Sequence, residues 1–242
     1  MNTNKIFLLF GSSGDLGKIA VEYFLNQDYN KYYFFARREF PIDKKGKDVE
    51  IIQTGDLSVE ENVMTAFSKV IKNINSEYYL FSTIGGFIGG KLIAETTYED
   101  WSNMMNINLN TAFLIAKNFS KLIEGTMGGS ICFTSALSSL KAESGKSAYN
   151  ISKNGLNFLV KTLALEGKNI GLSANAVAPY IIDSVENRSW VKDEKLLIKP
   201  HDICSTVQKL FDNKSCMSGN IIEMPFGLWF RHKNQMIFIS YC

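Results

Sequence analysis

The 242-residue sequence predicts an α/β fold, a doubly wound parallel sheet with helices on both faces. Three observations predict it. Apolar runs of strand length alternate with amphipathic stretches of helix length, the pattern of strand–helix units that feed a parallel sheet. The first run ends in a glycine turn, Gly11-Ser12-Ser13-Gly14-Asp15-Leu16-Gly17, which opens the first helical stretch. No internal repeat, low-complexity tract or composition break divides the chain, so one domain over 1–224 is expected, with a tail over 225–242.

Composition excludes several function classes. With 45% hydrophobic residues the chain can bury a substantial core, and a formal net charge of +2 favours neither nucleic acid nor an anionic membrane surface. No basic stripe with interleaved aromatics is present. The early apolar run at 6–10 is far too short for a signal-peptide core or a membrane span. Cys132, Cys204, Cys216 and Cys242 show neither C-x-x-C spacing nor histidine partners, so no metal site is expected. Cys132, inside an apolar strand pattern, reads as a core residue. A thiol-reduced, cytoplasmic protein is expected.

The first strand covers 5–10 and the following helix about 18–26. Strand, glycine turn and helix together give the glycines meaning. They permit a tight turn, let backbone approach a pyrophosphate, and aim helix N–H groups at its charge. The second strand, 31–36, closes on Ala36 with Arg37 and Arg38 behind it. An acid there would bind the adenosine ribose hydroxyls. Two guanidinium forks suit a 2′-phosphate instead, so NADP(H) is expected over NAD(H). A third strand over 49–53 leads to Thr54-Gly55-Asp56-Leu57, and Ser58 with Glu61 predicts a capping box for a helix to about 73. The fourth strand, 78–83, runs into Ile84-Gly85-Gly86-Phe87-Ile88-Gly89-Gly90, a glycine loop at the strand end where α/β ligands sit.

Thr97 and Asp100 cap a long helical region over 98–123. Asn106, Asn108 and Asn110 inside it predict a kink or a buried polar role, because Asn is a mediocre helix former. A fifth strand over 130–134 is followed by Ser135, Ser138 and Ser139. The next helix carries Tyr149 and Lys153, one turn apart on one face, above an apolar stripe of Leu156, Leu159, Val160 and Leu163. That spacing suits proton transfer. Bringing a phenol from pKa ~10 to ~7 requires roughly 4 kcal/mol. An ammonium about 4–5 Å away, at an effective dielectric of ~20, supplies roughly 3–4 kcal/mol. A sixth strand, 172–177, ends at Pro179. Pro200 opens a helix to about 212, and a last strand covers 220–224.

These pieces in this order resemble the short-chain dehydrogenase/reductase family over about residues 5–224. The resemblance rests on Gly11–Gly17, Asp56-Leu57, Gly85-Gly86, Asn108, Ser135, Tyr149 with Lys153, and Pro179-Tyr180-Ile181-Ile182-Asp183-Ser184. It implies a Rossmann-type sheet of order 3-2-1-4-5-6-7 and assembly as a homodimer or homotetramer. It also implies roles. Tyr149 gives or takes the substrate proton, and Lys153 lowers its pKa and holds the nicotinamide ribose. Ser135 hydrogen-bonds the reacting oxygen, and Asn108 holds a relay water. The turn residues Gly11, Ser13, Gly14, Asp15, Leu16 and Gly17 bind the cofactor, as do Ile84, Gly85, Gly86 and Pro179. Asp56 and Leu57 meet the adenine, and Ile182 the nicotinamide.

The chain departs from the usual pattern in places. Its glycines are spaced Gly-x-x-Gly-x-x-Gly, and Ile84-Gly85-Gly86-Phe87-Ile88-Gly89-Gly90 resembles the dihydropteridine reductase subgroup. Ser135 stands fourteen residues before Tyr149, one more than usual, which leaves Ser138 as the alternative oxygen contact. The tail over 225–242 fits nothing in the family and reads as a small hairpin or a foreign segment. The leading expectation is NADPH-dependent reduction of a ketone or aldehyde to the alcohol. The alternatives are pterin reduction and, in a different class, a non-catalytic NADP(H)-sensing binding protein. Sugar epimerisation is disfavoured by length. The loop over 181–199, with Ser189-Trp190-Val191, is the expected specificity segment.

Overall fold

A computed structural model describes residues 3–226. Their elements are β1 (Asn4–Phe10), α1 (Asp15–Leu25), β2 (Lys31–Ala36), β3 (Val49–Gln53), α2 (Glu60–Ser68) and β4 (Ser76–Ser82). There follow α3 (Tyr98–Met104), α4 (Thr111–Ile123), β5 (Gly129–Thr134), α5 (Ser147–Glu166) and β6 (Leu172–Pro179). The chain goes on through β7 (Ile181–Ile182), α6 (Val185–Arg188), β8 (Leu197–Ile198), α7 (Pro200–Asp212) and β9 (Ile221–Met224). Seven strands form one parallel sheet of order β3-β2-β1-β4-β5-β6-β9. Counting sheet strands in chain order, this is the expected 3-2-1-4-5-6-7. The strands read as unbroken apolar runs because both faces are covered. Phe7, Leu9, Phe24 and Phe211 are buried on the α1 and α7 side, and Leu8, Phe10, Ile115 and Val160 on the other.

The sheet's reversal point lies between β1 and β4, where crossovers leave in opposite directions, and it opens the cleft in which α/β folds place ligands. The candidate segments around Gly11, Arg37, Asp56, Gly85, Ser135 and Pro179 follow or close the carboxyl ends of these strands. Two expectations need correction. Ser58 does not cap α2: its hydroxyl and its N–H both donate to Asp56 Oδ1 at 2.9 Å. The helix therefore starts at Glu60 without a side-chain cap, and it ends at Ser68 rather than near 73. The long helix over 98–123 is capped by Thr97 as expected, its Oγ1 accepting from the Asp100 N–H at 3.0 Å, and it is interrupted at the asparagines, the place where a kink or a buried polar role is expected. Met105–Asn110 widens into a π-helical stretch, a feature frequent at functional sites. The specificity segment holds the short parallel pair β7–β8 and the single turn α6. The hairpin reading of the tail lies outside the described residues.

Candidate active site

The glycine turn is built by close backbone approach. Gly11 takes φ +85°, and a Cβ on Gly17 would stand 2.0 Å from the Gly11 carbonyl oxygen, so helix and strand can meet here only through glycine. Gly11 N–H, Ser12 N–H and Ser12 Oγ all donate to the Phe35 carbonyl, tying the turn to the end of β2. Gly14 occupies the N-cap of α1 and places no side chain over its first turn. Ser13 is half-buried and Asp15 exposed, whereas Leu16 is packed into the α1-side core. A bare helix N-terminus at the reversal point fits a dinucleotide pyrophosphate.

The cleft is polar and exposed at the ends of β2 and β3. Thr54 N–H donates to the Ala36 carbonyl at 2.9 Å, which sets Asp56 beside the end of β2. Arg37 Nη2 lies 3.8 Å from Asp56 Oδ1, and Arg38 is exposed next to it. The Ser58 hydrogen bonds, with a smaller contribution from the Arg37 charge, hold the Asp56 carboxyl below its usual range. Leu57 is buried in the α2-side core.

At the other end the candidates converge on α5. Lys153 is 3% exposed, and its Nζ donates to the Thr134 carbonyl at 2.7 Å. A Cβ on Gly85 would meet that Nζ at 2.7 Å and Asn108 Oδ1 at 3.1 Å, so the glycine loop passes directly over the lysine. Ile84 packs against the core and Gly86 is held by Asn108, which accepts from the Gly86 N–H and donates to its carbonyl, both at 3.0 Å. Asn108 Nδ2 also donates to Ser152 Oγ at 3.1 Å, and Ser152 donates to the Tyr149 carbonyl at 2.8 Å. The π-helical stretch is thereby joined to the turn of α5 that carries the tyrosine. Pro179 is buried at the end of β6, and Ile182 is half-buried with its carbonyl accepting from Asn187 Nδ2.

Burial sets the electrostatics of the pair. It pushes the Tyr149 phenol up to about 12 and the Lys153 ammonium down to about 7. The attraction of an ammonium for a phenolate is opposed here by the cost of desolvating both charges. Phe87 adds to that desolvation, its ring meeting Tyr149 edge-on at 4.9 Å.

The serines are not gathered at the tyrosine. Ser135 is buried and gives its proton to Asn157 Oδ1 at 2.5 Å, about two helical turns from Tyr149. Ser138 donates to Asn150 Oδ1 at 2.9 Å, beside Tyr149 in sequence, and Ser139 donates to the Ala136 carbonyl. Sequence reasoning missed Ser152, Phe87's contact with the tyrosine, and the asparagines that hold the loop. A signal for the last was present: Asn150, Asn154 and Asn157 recur at helical spacing, and Asn154 Nδ2 reaches the Ser139 carbonyl.

Similar proteins agree with this architecture. Residues 5–195 match the family model described as short chain dehydrogenase. A dihydropteridine reductase of Dictyostelium discoideum is 26% identical over 196 residues, covering 78% of this chain and 79% of the relative. Carbonyl reductase family member 4 of Xenopus laevis is 24% identical over 236 residues, 93% of this chain and 98% of the relative. Among solved structures, one described as ElxO with NADP bound superposes with a TM-score of 0.81 at 21% identity, over 91% of this chain and 97% of that one. Among the described residues no helix is long and apolar enough to cross a membrane. A glycine turn over a parallel sheet, a buried lysine one turn from a tyrosine, and a family match over most of the length lead to one conclusion: the chain belongs to the short-chain dehydrogenase family and is an NAD(P)-dependent oxidoreductase.

Proposed function

We propose that this chain is a reductase that uses NADP(H) in preference to NAD(H) and reduces a small ketone or aldehyde, with Tyr149 as the proton donor. The observation that carries the reading is the Tyr149–Lys153 pair one turn apart on α5, with the glycine loop laid over the lysine and Phe87 against the tyrosine; burial alone leaves the phenol a weak acid, so proton donation would draw on the lysine charge beside it. The bound dinucleotide would supply the hydride. Lys153, fixed by the Thr134 carbonyl, would hold the nicotinamide ribose. Asn108 positions the glycine loop and, through Ser152, the tyrosine's turn. Arg37 and Arg38 would take the 2′-phosphate, and Ser138, bonded to Asn150 next to Tyr149 in sequence, would serve the substrate oxygen.

A second reading, pterin reduction, is favoured by a specific observation. A hydroxyl has one proton, and Ser135, Ser138 and Ser139 each donate theirs to an asparagine or a carbonyl. A conjugated ring that spreads its charge makes less demand on such a donor than an isolated carbonyl. NADPH oxidation measured against a carbonyl panel and a quinonoid dihydropterin separates the two. Tyr149→Phe is expected to lose at least two orders of magnitude in turnover on the true substrate. A wild type no faster than Tyr149→Phe on every compound would remove the catalytic reading and favour a non-catalytic sensor of the dinucleotide.

A further inference from the structure

The serines that follow β5 all give their protons to protein acceptors, but they are not held alike. Ser135 and Ser139 are buried, whereas Ser138 is half-buried and within reach of a ligand. Asn157 is fixed in one setting. Its Oδ1 accepts from Ser135 Oγ, its Nδ2 donates to Ser139 Oγ at 3.0 Å, and Ser139 gives its own proton to the Ala136 carbonyl. Turning that amide over would set its oxygen against a hydroxyl whose proton is already committed. Asn150 has no such lock. The residue is 8% exposed, its Oδ1 accepts from Ser138 Oγ at 2.9 Å, and among the described residues its buried Nδ2 has no acceptor. A buried amide nitrogen without a partner is costly. A half-turn about the last side-chain bond exchanges nitrogen and oxygen, so that Nδ2 donates to Ser138 Oγ and the Ser138 proton is released. Oδ1 then becomes the unpartnered atom, so the two settings lie close in energy.

We infer that Asn150 is a positioning residue whose amide turns over when a carbonyl substrate arrives and so frees the Ser138 proton for the reacting oxygen. The inference rests on the reductase reading with Tyr149 as proton donor. With the amide oxygen toward it, Ser138 has no proton to offer. With the nitrogen toward it, the hydroxyl is both oriented and able to donate. A substrate oxygen that accepts this bond selects the second setting, because it interacts with that one alone. Negative charge growing on the oxygen as the carbonyl is reduced strengthens the bond, so its effect is greatest in the transition state. Asn150 follows Tyr149 directly in the first turn of α5, and one stretch of backbone therefore carries both the proton donor and the group that turns the serine.

Steady-state NADPH oxidation, with the fastest carbonyl of the panel as probe, tests this in a double-mutant cycle. Ser138→Ala is expected to lower kcat by about tenfold to a hundredfold with KM nearly unchanged, as befits a bond made chiefly in the transition state. Asn150→Asp keeps the shape and an acceptor but at neutral pH has no N–H, so it holds the Ser138 proton permanently. It is expected to lose at least as much as Ser138→Ala. In the Ser138→Ala background its loss should be about tenfold smaller, because only the effect of the new charge on Tyr149 remains. Asn150→Ala neither holds nor orients the hydroxyl and should fall between wild type and Asn150→Asp. Urea midpoints show which variants fold. If the buried carboxylate is not tolerated, the Asn150→Ala cycle decides, with about threefold coupling or more expected. Equal fractional losses in the two backgrounds would overturn the inference, since the amide would then serve the fold rather than the serine. So would a Ser138→Ala enzyme within about twofold of wild type, or a larger loss for Ser135→Ala than for Ser138→Ala. In each of these cases a wild type faster than Tyr149→Phe keeps the reductase reading. A wild type no faster than Tyr149→Phe removes both.

Discussion

Of the Tyr149–Lys153 pair, Lys153 is the residue whose chemistry the fold alters more. It is 3% exposed with one carbonyl partner, and burial brings its pKa down from 10.5 to about 7. In the unfolded chain it stays charged to about 10.4. Between these values the unfolded state binds more protons than the folded one, so stability rises as pH increases from about 7 to about 10. Below pH 7 the full cost of a buried ammonium is present. Tyr149 acts in the opposite sense and at higher pH: its proton is retained to about 12 when folded, so stability falls again above about 10. Lys153→Met is therefore expected to flatten the rise from pH 7 to 10, which for wild type amounts to as much as a few kcal/mol. Calorimetric Tm values across that range check it. Equal slopes for the two proteins would mean that Lys153 is hydrated and ordinarily basic. The sequence spacing made the pair visible, but not which charge state it prefers, because desolvation depends on the strands and the Phe87 loop laid over it.

The elements differ in how openly the sequence declares them. β2, β3 and α7 have the bounds expected from apolar runs, flanking polar residues and Pro200, since each is decided within a few positions. The Asn cluster likewise pointed to a kink or a buried polar role, and the helix is irregular there with Asn108 buried. Where a side chain chooses between partners, local pattern fails. Ser58 had a helix N-terminus on one side and the Asp56 carboxylate on the other, and the charged acceptor won. Ser135 gave its proton to Asn157, a partner that only the packing of α5 against the sheet supplies. The glycine turn shows the same contrast within one motif. A Cβ on Gly14 would find its nearest atom at 3.4 Å, whereas one on Gly17 would strike backbone at 2.0 Å. Gly17→Ala is expected to cost about 1–3 kcal/mol or more, because a carbonyl fixed in a tight turn cannot move aside. Gly14→Ala should fold with little loss. Urea midpoints for the two variants check this, and equal midpoints would mean that α1 can shift freely on β1.

At the scale of the whole molecule, the unexplained feature is an apolar line along the outside of α5. Ile151, Phe158 and Leu165 are spaced by seven residues and are 49%, 72% and 66% exposed. Seven residues are close to two helical turns, so the three side chains lie almost in a row. Phe113 on the neighbouring α4 is 50% exposed. A monomer gains nothing by presenting large side chains in register on a long helix, and such a patch marks an interface. The family resemblance implies a homodimer or homotetramer, and a straight stripe is self-complementary when two copies of α5 pack about a two-fold axis. We therefore propose that α5 meets a second copy of itself. Fully burying a Phe is worth roughly 1.5–3 kcal/mol, and a two-fold interface counts it twice. Phe158→Glu, which also sets two carboxylates facing each other, should shift dimer dissociation by at least about a hundredfold. Light scattering after size exclusion is expected to show an oligomer for wild type and a monomer for Phe158→Glu, with unchanged far-UV circular dichroism because the residue lies outside the core. A monomeric wild type at tens of micromolar, or an oligomer indifferent to the substitution, would assign the stripe to something other than self-association. The same helix carries Tyr149 and Lys153 on its inner side, so pairing two copies through its outer side would brace the element on which the proposed chemistry rests.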